Sequence, residues 1–150
     1  MTDPNSVELM LIEDNPQDLE LALLALREAD PLTRIHIARD GAEALDFIFC
    51  EGPHAGRRID DMPKVILLDL KLPKIDGLDV LKRIKGDPRT RLIPIVVLTS
   101  SKEQSDVVES YKLGVNSYIV KPVNFERFSD AVRNLGLYWR VLNQPPKVAG

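Results

Sequence analysis

VILLDLKLPKIDG, residues 65–77, ends a wholly apolar run, Val65-Ile66-Leu67-Leu68, on a single carboxylate, Asp69. Such a run reads as a central strand covered on both faces. An acid at its end is costly unless something nearby compensates it. Beyond it, Gly77 opens a helical pattern carried by Leu78, Leu81 and Ile84, and Gly86-Asp87-Pro88 closes it. The unit is therefore strand, acid, loop, helix, and the rest of the chain must supply whatever offsets the acid.

The same unit recurs along the chain. Val7 to Ile12, Arg34 to Ala38, Lys64 to Leu68, Ile93 to Leu98 and Ser117 to Val120 read as strands, each followed by a helix pattern. Asn15-Pro16-Gln17-Asp18 supplies a cap, a proline for the first helical position and an early acid, ahead of Leu19, Ala22, Leu23 and Leu26 at helical spacing. Asp40-Gly41 starts the second helix, with Ala44, Leu45 and Ile48. Ser100 or Ser101, three residues before Glu103 and Gln104, is placed for a capping box on the fourth, whose apolar stripe of Val107, Val108 and Tyr111 is the thinnest. Thin packing makes that helix the element most easily moved. Alternating strands and helices with right-handed crossovers give an α/β doubly wound parallel sheet of five strands, with helices on both faces.

The chain of 150 residues suits one domain, with a core over about 7–140. Glu51 to Met62 reads as a long polar loop, and residues 137–150, with Pro145-Pro146, as the end of an extended last helix and a mobile tail. Twenty Lys and Arg against 23 Asp and Glu, net −3, give no general attraction to nucleic acid or anionic membrane. Arg57-Arg58 and Lys82-Arg83 read as solvated surface. The longest uncharged stretch, Leu92 to Ser101, is ten residues, against the roughly 18 that span a bilayer. No basic-then-apolar leader opens the chain, and the lone Cys50, read as a small buried apolar residue, has no intramolecular disulfide partner. Both features agree with a cytoplasmic location.

In a doubly wound sheet the C-terminal strand ends form the functional crevice. Glu13 and Asp14 follow the first strand, Asp69 the third, Thr99 the fourth and Lys121 the fifth. Singly, each has an ordinary explanation: an acid caps a helix, a threonine fills a strand, a lysine faces water. Together they place three acids, a hydroxyl and an amine on one edge. Clustered carboxylates repel one another without a cation, and hard oxygen ligands suit Mg²⁺. With the charge screened, an Asp can take up a phosphoryl group as an acyl phosphate, while Lys121 and Thr99 meet the phosphoryl oxygens.

The acidic pair Glu13-Asp14, LLDLKLPKIDG around Asp69, Thr99-Ser100 after IVVL and Lys121-Pro122 after SYIV resemble a CheY-like receiver domain of two-component response regulators, over about residues 7–140. The resemblance implies a flavodoxin-like strand order 2-1-3-4-5 and a phosphoacceptor at Asp69. It implies Mg²⁺ among Glu13, Asp14, Asp69 and the Lys71 backbone carbonyl, a Thr99–Tyr118 switch pair, and a phosphate-pairing Lys121 whose peptide to Pro122 is commonly cis. It also implies a histidine kinase as phosphodonor. Glu13 stands where many receivers carry Asp, and Lys71 and Ser101 occupy positions that influence phosphoryl loss.

The insertion at 51–62, IPIVVLTSS and the Tyr138-Trp139 extension look like single-domain regulators paired with phytochrome-type histidine kinases, a group that tends to dimerise. The last helix pattern, with Phe128, Val132, Leu135, Trp139 and Leu142 in one stripe and Leu137, Tyr138 and Val141 extending it, is wider than one sheet needs. The surplus predicts a homodimer through the fourth helix, fifth strand and last helix, with Tyr138 and Trp139 at the contact, the alternative being that Trp139 folds back on its own domain.

The expected role is phosphorylation-controlled signalling, not turnover of a substrate. A haloacid-dehalogenase-type phosphatase also uses a strand-end Asp, but needs a second acid where Lys71 stands. A flavodoxin-like carrier needs a hydroxyl- and glycine-rich phosphate loop where Glu13-Asp14-Asn15-Pro16 stands. A pseudo-receiver scaffold would not need Asp69 and Lys121.

Overall fold

In the computed structural model, residues 7–121 and 124–137 are described. The elements run β1 Leu9–Ile12, α1 Pro16–Ala29, β2 Ile35–Ala38, α2 Gly41–Ile48, a 3₁₀ turn Gly52–His54, β3 Val65–Leu68, α3 Gly77–Gly86, β4 Ile95–Thr99, α4 Gln104–Leu113, β5 Ser117–Val120 and α5 Phe125–Leu137. The strands are parallel, in the order β2-β1-β3-β4-β5. The expected doubly wound topology is observed.

Strand alternation divides the core into two layers. Met10, Ile12, Ile66, Leu68, Ile95 and Val97 pack with residues of α2 and α3 on one face. Leu9, Leu11, Val65, Leu67, Val96 and Leu98 pack with α1 and α5 on the other. Four strands begin one or two residues later than periodicity indicates. For β4 the cause is chemical, since Pro94 has no N–H and enters the sheet only by accepting from the Ile66 N–H at 2.9 Å.

Local starts follow the sequence at α1 and α2. Asn15 accepts from the N–H groups of Gln17 and Asp18 at 3.0 Å each, with Pro16 at the first helical position. Asp40 accepts from the Glu43 N–H at 2.8 Å. At α4 the expected capping box does not form. The helix starts one turn later, and Glu103 at its cap makes no side-chain cap bond. Ser101 instead donates to Asp106 Oδ2 at 2.6 Å.

Two surface expectations are also corrected. Arg57 is not simply solvated: it lies over the Phe47 ring at 3.7 Å, donates to the Phe47 carbonyl, and donates to the Asp61 carbonyl at 2.8 Å, so it ties the 51–62 segment to α2. Cys50 is half-buried rather than enclosed, and lies two residues past α2 in the left-handed region at φ 55°. Tyr138, Trp139, Pro122 and the tail lie outside the described residues.

Candidate functional site

The site begins with how the Asp69 loop is held. Backbone Asp69 N–H joins the Ile12 carbonyl at 3.0 Å, continuing the sheet one residue past β3. The chain then returns to α3 through Gly77, whose N–H meets the Leu70 carbonyl at 2.9 Å. A Cβ on Gly77 would lie 2.4 Å from Leu70 Cα and 2.5 Å from the Asp69 carbonyl oxygen, so only glycine allows α3 to approach this closely. Gly41 performs the same service on the other side, where a Cβ would meet the Ile75 carbonyl oxygen at 2.0 Å. Two glycines from different helices fix the loop that carries the acid.

Asp69 is 5 % exposed and both of its oxygens are occupied. Thr99, at the end of β4 and fully buried, donates its hydroxyl to Oδ1 at 2.7 Å, and the Lys71 N–H donates to the same oxygen at 3.1 Å. Lys121, just past β5, donates to Oδ2 at 2.9 Å. Its ammonium also reaches Glu13 Oε1, and Asp18 Oδ2 at 2.8 Å. The compensation that Asp69 demanded is thus present in the protein itself.

These contacts set the ionisation states. Burial works against charge on Asp69, but the hydrogen bond with Glu13, the Lys121 charge and the Thr99 hydroxyl outweigh it and hold its carboxyl below the ordinary range. Burial, reinforced by the hydrogen bond with Asp69, pushes Glu13 up to about 8 despite Lys121. Burial would lower the Lys121 pKa, yet Asp18, Glu13 and Asp69 together raise it above the ordinary amine value. The surroundings thus favour charge on Asp69 and Lys121 and disfavour it on Glu13.

Glu13, Asp14 and Asp69 each offer a carboxylate oxygen, and these oxygens lie within 4.8 Å of one another. The donors are hard oxygens and one acid, Asp14, is exposed, so the cluster fits an oxygen-loving divalent ion that keeps waters. Glu13, Asp14, Asp69, Thr99 and Lys121 come together as the sequence indicated. Tyr118 stands one step away: it is half-buried against the α2/α3-side core, and its hydroxyl donates to the Ser101 carbonyl at 3.0 Å. Ser101 is 3 % exposed, and its N–H lies 3.4 Å from Thr99 Oγ1, linking the Thr99 end of the site to Tyr118 and Asp106.

Asp18 was not singled out for the site by sequence. It looked like an ordinary first-turn acid, favourable beside a helix N-terminus. The available signal was topological, because the first turn of α1 necessarily rims the crevice at the end of β1.

The chain belongs to the response regulator receiver domain family, whose model matches residues 9–133. It is thus a receiver of the two-component type, with the CheY-like fold. Among curated relatives it is 40 % identical over 139 residues to the probable methanogenesis regulatory protein FilR2 of Methanothrix harundinacea, covering 92 % of this chain and 86 % of that one. It is 37 % identical over 131 residues to the response regulator Rcp1 of Synechocystis, covering 87 % of each. The Mn²⁺-bound form of Rcp1 superposes with a TM-score of 0.84 at 35 % identity, over 93 % of this chain and 99 % of that one. The bacteriophytochrome response regulator RtBRR is 50 % identical, with a TM-score of 0.74, over 93 % of this chain and 84 % of that one. Among the described residues no helix is long and apolar enough to cross a membrane.

Proposed function

We propose that Asp69 accepts a phosphoryl group from a histidine kinase of the phytochrome type, at a site completed by Mg²⁺. The observation that carries this reading is the occupancy of Asp69: a buried carboxyl group with a hydroxyl on one oxygen and an ammonium on the other. An Asp69 oxygen attacks phosphorus, and the P–N bond of the donor phosphohistidine breaks with its electron pair going to the imidazole. The product is an acyl phosphate on Asp69 and a free histidine on the donor.

Glu13, Asp14 and Asp69, with the Lys71 carbonyl, would hold Mg²⁺, which when bound neutralises charge on the transferring group. Lys121 and the Thr99 hydroxyl are placed to exchange their contacts with Asp69 for contacts with phosphoryl oxygens. Thr99 moving in this way pulls on Ser101, and through it on Tyr118 and α4, so the switch works by changing a protein-binding surface. The kinase assignment rests on the 50 % identity to the bacteriophytochrome response regulator RtBRR. A homodimer involving Tyr138 and Trp139, and a cytoplasmic location, complete the reading. The protein acts as a signalling switch rather than an enzyme with an external substrate.

Acetyl phosphate with Mg²⁺ tests it. Intact-mass measurement should find one phosphoryl group on the wild type and none on Asp69→Asn. Equal gain by both proteins, or gain by neither, rejects the reading.

A further inference from the structure

Lys121 carries three N–H donors and meets three carboxylates, but those carboxylates have different obligations. Glu13 and Asp69 belong to the cluster whose oxygens converge for a cation; Asp18 does not. A cation drawing on Glu13 and Asp69 competes directly with the ammonium for the same oxygens. Phosphorylation then turns the Asp69 carboxylate into a mixed anhydride whose bridging oxygen loses its charge, so that contact of the ammonium passes to the phosphoryl oxygens. Of the three acids on Lys121, only Asp18 is claimed by neither event.

Its placement is built in. Asp18 is the third residue of α1, and its own N–H is received by Asn15 Oδ1 at 3.0 Å, so the cap that starts the helix also orients this carboxylate. From there it spans to a lysine 103 residues away in sequence, at 2.8 Å. The Lys121 side chain is 10 % exposed and that of Asp18 31 %. The ammonium is therefore enclosed while its third partner, the most exposed of the three acids, stands at the rim. An acid there only to complement the helix dipole would have no need of a buried lysine.

We infer that Asp18 is a positioning residue, a tether that keeps the Lys121 ammonium over Asp69 when Glu13 and Asp69 turn to the cation and the phosphoryl group. Lysine is a flexible four-carbon stem, and holding its head in one place requires a fixed hydrogen-bond acceptor. With Asp18 in place, one N–H stays bound at the rim and the other two point inward. Without it, no acid holds the head in place between the cation's taking the inner oxygens and the arrival of the phosphoryl oxygens. This inference rests on Asp69 being the phosphoacceptor, and its test separates the two claims.

The experiment uses the full chain as wild type, Asp18→Asn, whose amide oxygen still accepts a hydrogen bond, and Asp18→Ala, which cannot. Circular dichroism verifies folding of each. The first arm follows the Lys121 ammonium by nitrogen-15 NMR, assigned by its loss in Lys121→Arg, before and after saturation with Mg²⁺. The second arm measures the rate of phosphoryl incorporation from acetyl phosphate at saturating Mg²⁺, where the P–O bond breaks and acetate departs.

With Mg²⁺ present, a persistent ammonium signal is expected in the wild type and in Asp18→Asn, and its loss in Asp18→Ala. Labelling should slow about tenfold in Asp18→Ala and by less than about threefold in Asp18→Asn, the difference of one charge-assisted hydrogen bond. Wild-type behaviour of Asp18→Ala in either arm overturns the tether, as does an Asp18→Asn defect as deep as that of Asp18→Ala. A wild type that takes no label in the second arm refutes the phosphoacceptor reading instead, and is recognised because the ammonium arm needs no phosphorylation.

Discussion

The loop after β3 and the helix after β4 occupy equivalent places on the sheet, one strand apart, and are held by different means. The Asp69 loop is clamped by backbone: Gly77 and Gly41 admit contacts closer than any side chain allows, and α3 behind it buries Val80, Leu81 and Ile84 completely. Helix α4 buries only Ser110, leaves Val108 and Tyr111 42 % and 53 % exposed, and has no side-chain cap. What secures its first turn is the Ser101–Asp106 hydrogen bond. The acceptor of the signal is rigid, and the element beside it rests on one polar clasp and a thin apolar seam. That difference is what a switch needs: a chemical centre that keeps its geometry and a neighbour that is inexpensive to move.

Replacing Gly77 tests the rigid side most severely. Gly77→Ala should destabilise the protein by about 3 kcal/mol and move the Asp69 loop, because the added carbon meets backbone that cannot yield. Denaturant unfolding checks the size, and a wild-type midpoint would break the contrast. Truncations in the two helices sharpen it. Ile84→Ala in α3 should cost about 3 kcal/mol, whereas Val108→Ala in α4 should stay within about 0.5 kcal/mol. Equal costs would mean that α4 is bound to the core as firmly as α3.

Asp106→Ala should raise amide exchange over residues 104–113 about tenfold while leaving α3 unchanged, since it removes a charge-assisted bond at 2.6 Å. Asp106→Asn, which still accepts from Ser101, should stay near wild type. Hydrogen exchange read by mass spectrometry decides between them.

The smallest effect lies at the β2 edge, where α2 meets its sheet through stacked rings. His36 stacks on Phe47 at a centroid distance of 3.8 Å, with His54 edge-on to Phe47 at 5.1 Å. Burial, followed by the charge of His54, and with Arg57 opposing Glu43, holds the His36 imidazole below its ordinary 6.5. The unfolded chain then binds the proton more readily, so this contribution is complete above pH 6.5 and is lost as the pH falls from there toward the folded-state value. His36→Phe should flatten the dependence of melting temperature on pH in that window. An unchanged slope would show that the stack carries no proton linkage.

Much of this was legible in the sequence because the informative features are local. Strand alternation, the Asn15-Pro16 start and the strand-end acids are each written within a few residues, and the doubly wound topology then brings Glu13, Asp14, Asp69, Thr99 and Lys121 to one edge. What escaped depends on which groups the folded backbone brings within reach, near or far in the chain. Asp18 acquires its meaning from Lys121, 103 residues on. Arg57 is ordered by two backbone carbonyls and a ring, none of which leaves a mark in its own neighbourhood. Ser101 looked like a cap, and became a clasp because the turn before α4 runs on to Glu103 before the helix begins.

Peptide mapping of the acetyl-phosphate-treated protein, with Mg²⁺ and again with a chelator, locates the phosphoryl group and its need for a divalent ion. The phosphoryl group should be found on the peptide containing Asp69, and the chelator should abolish it. Label on Asp14 or Asp18, or label that persists without divalent ions, would contradict the account.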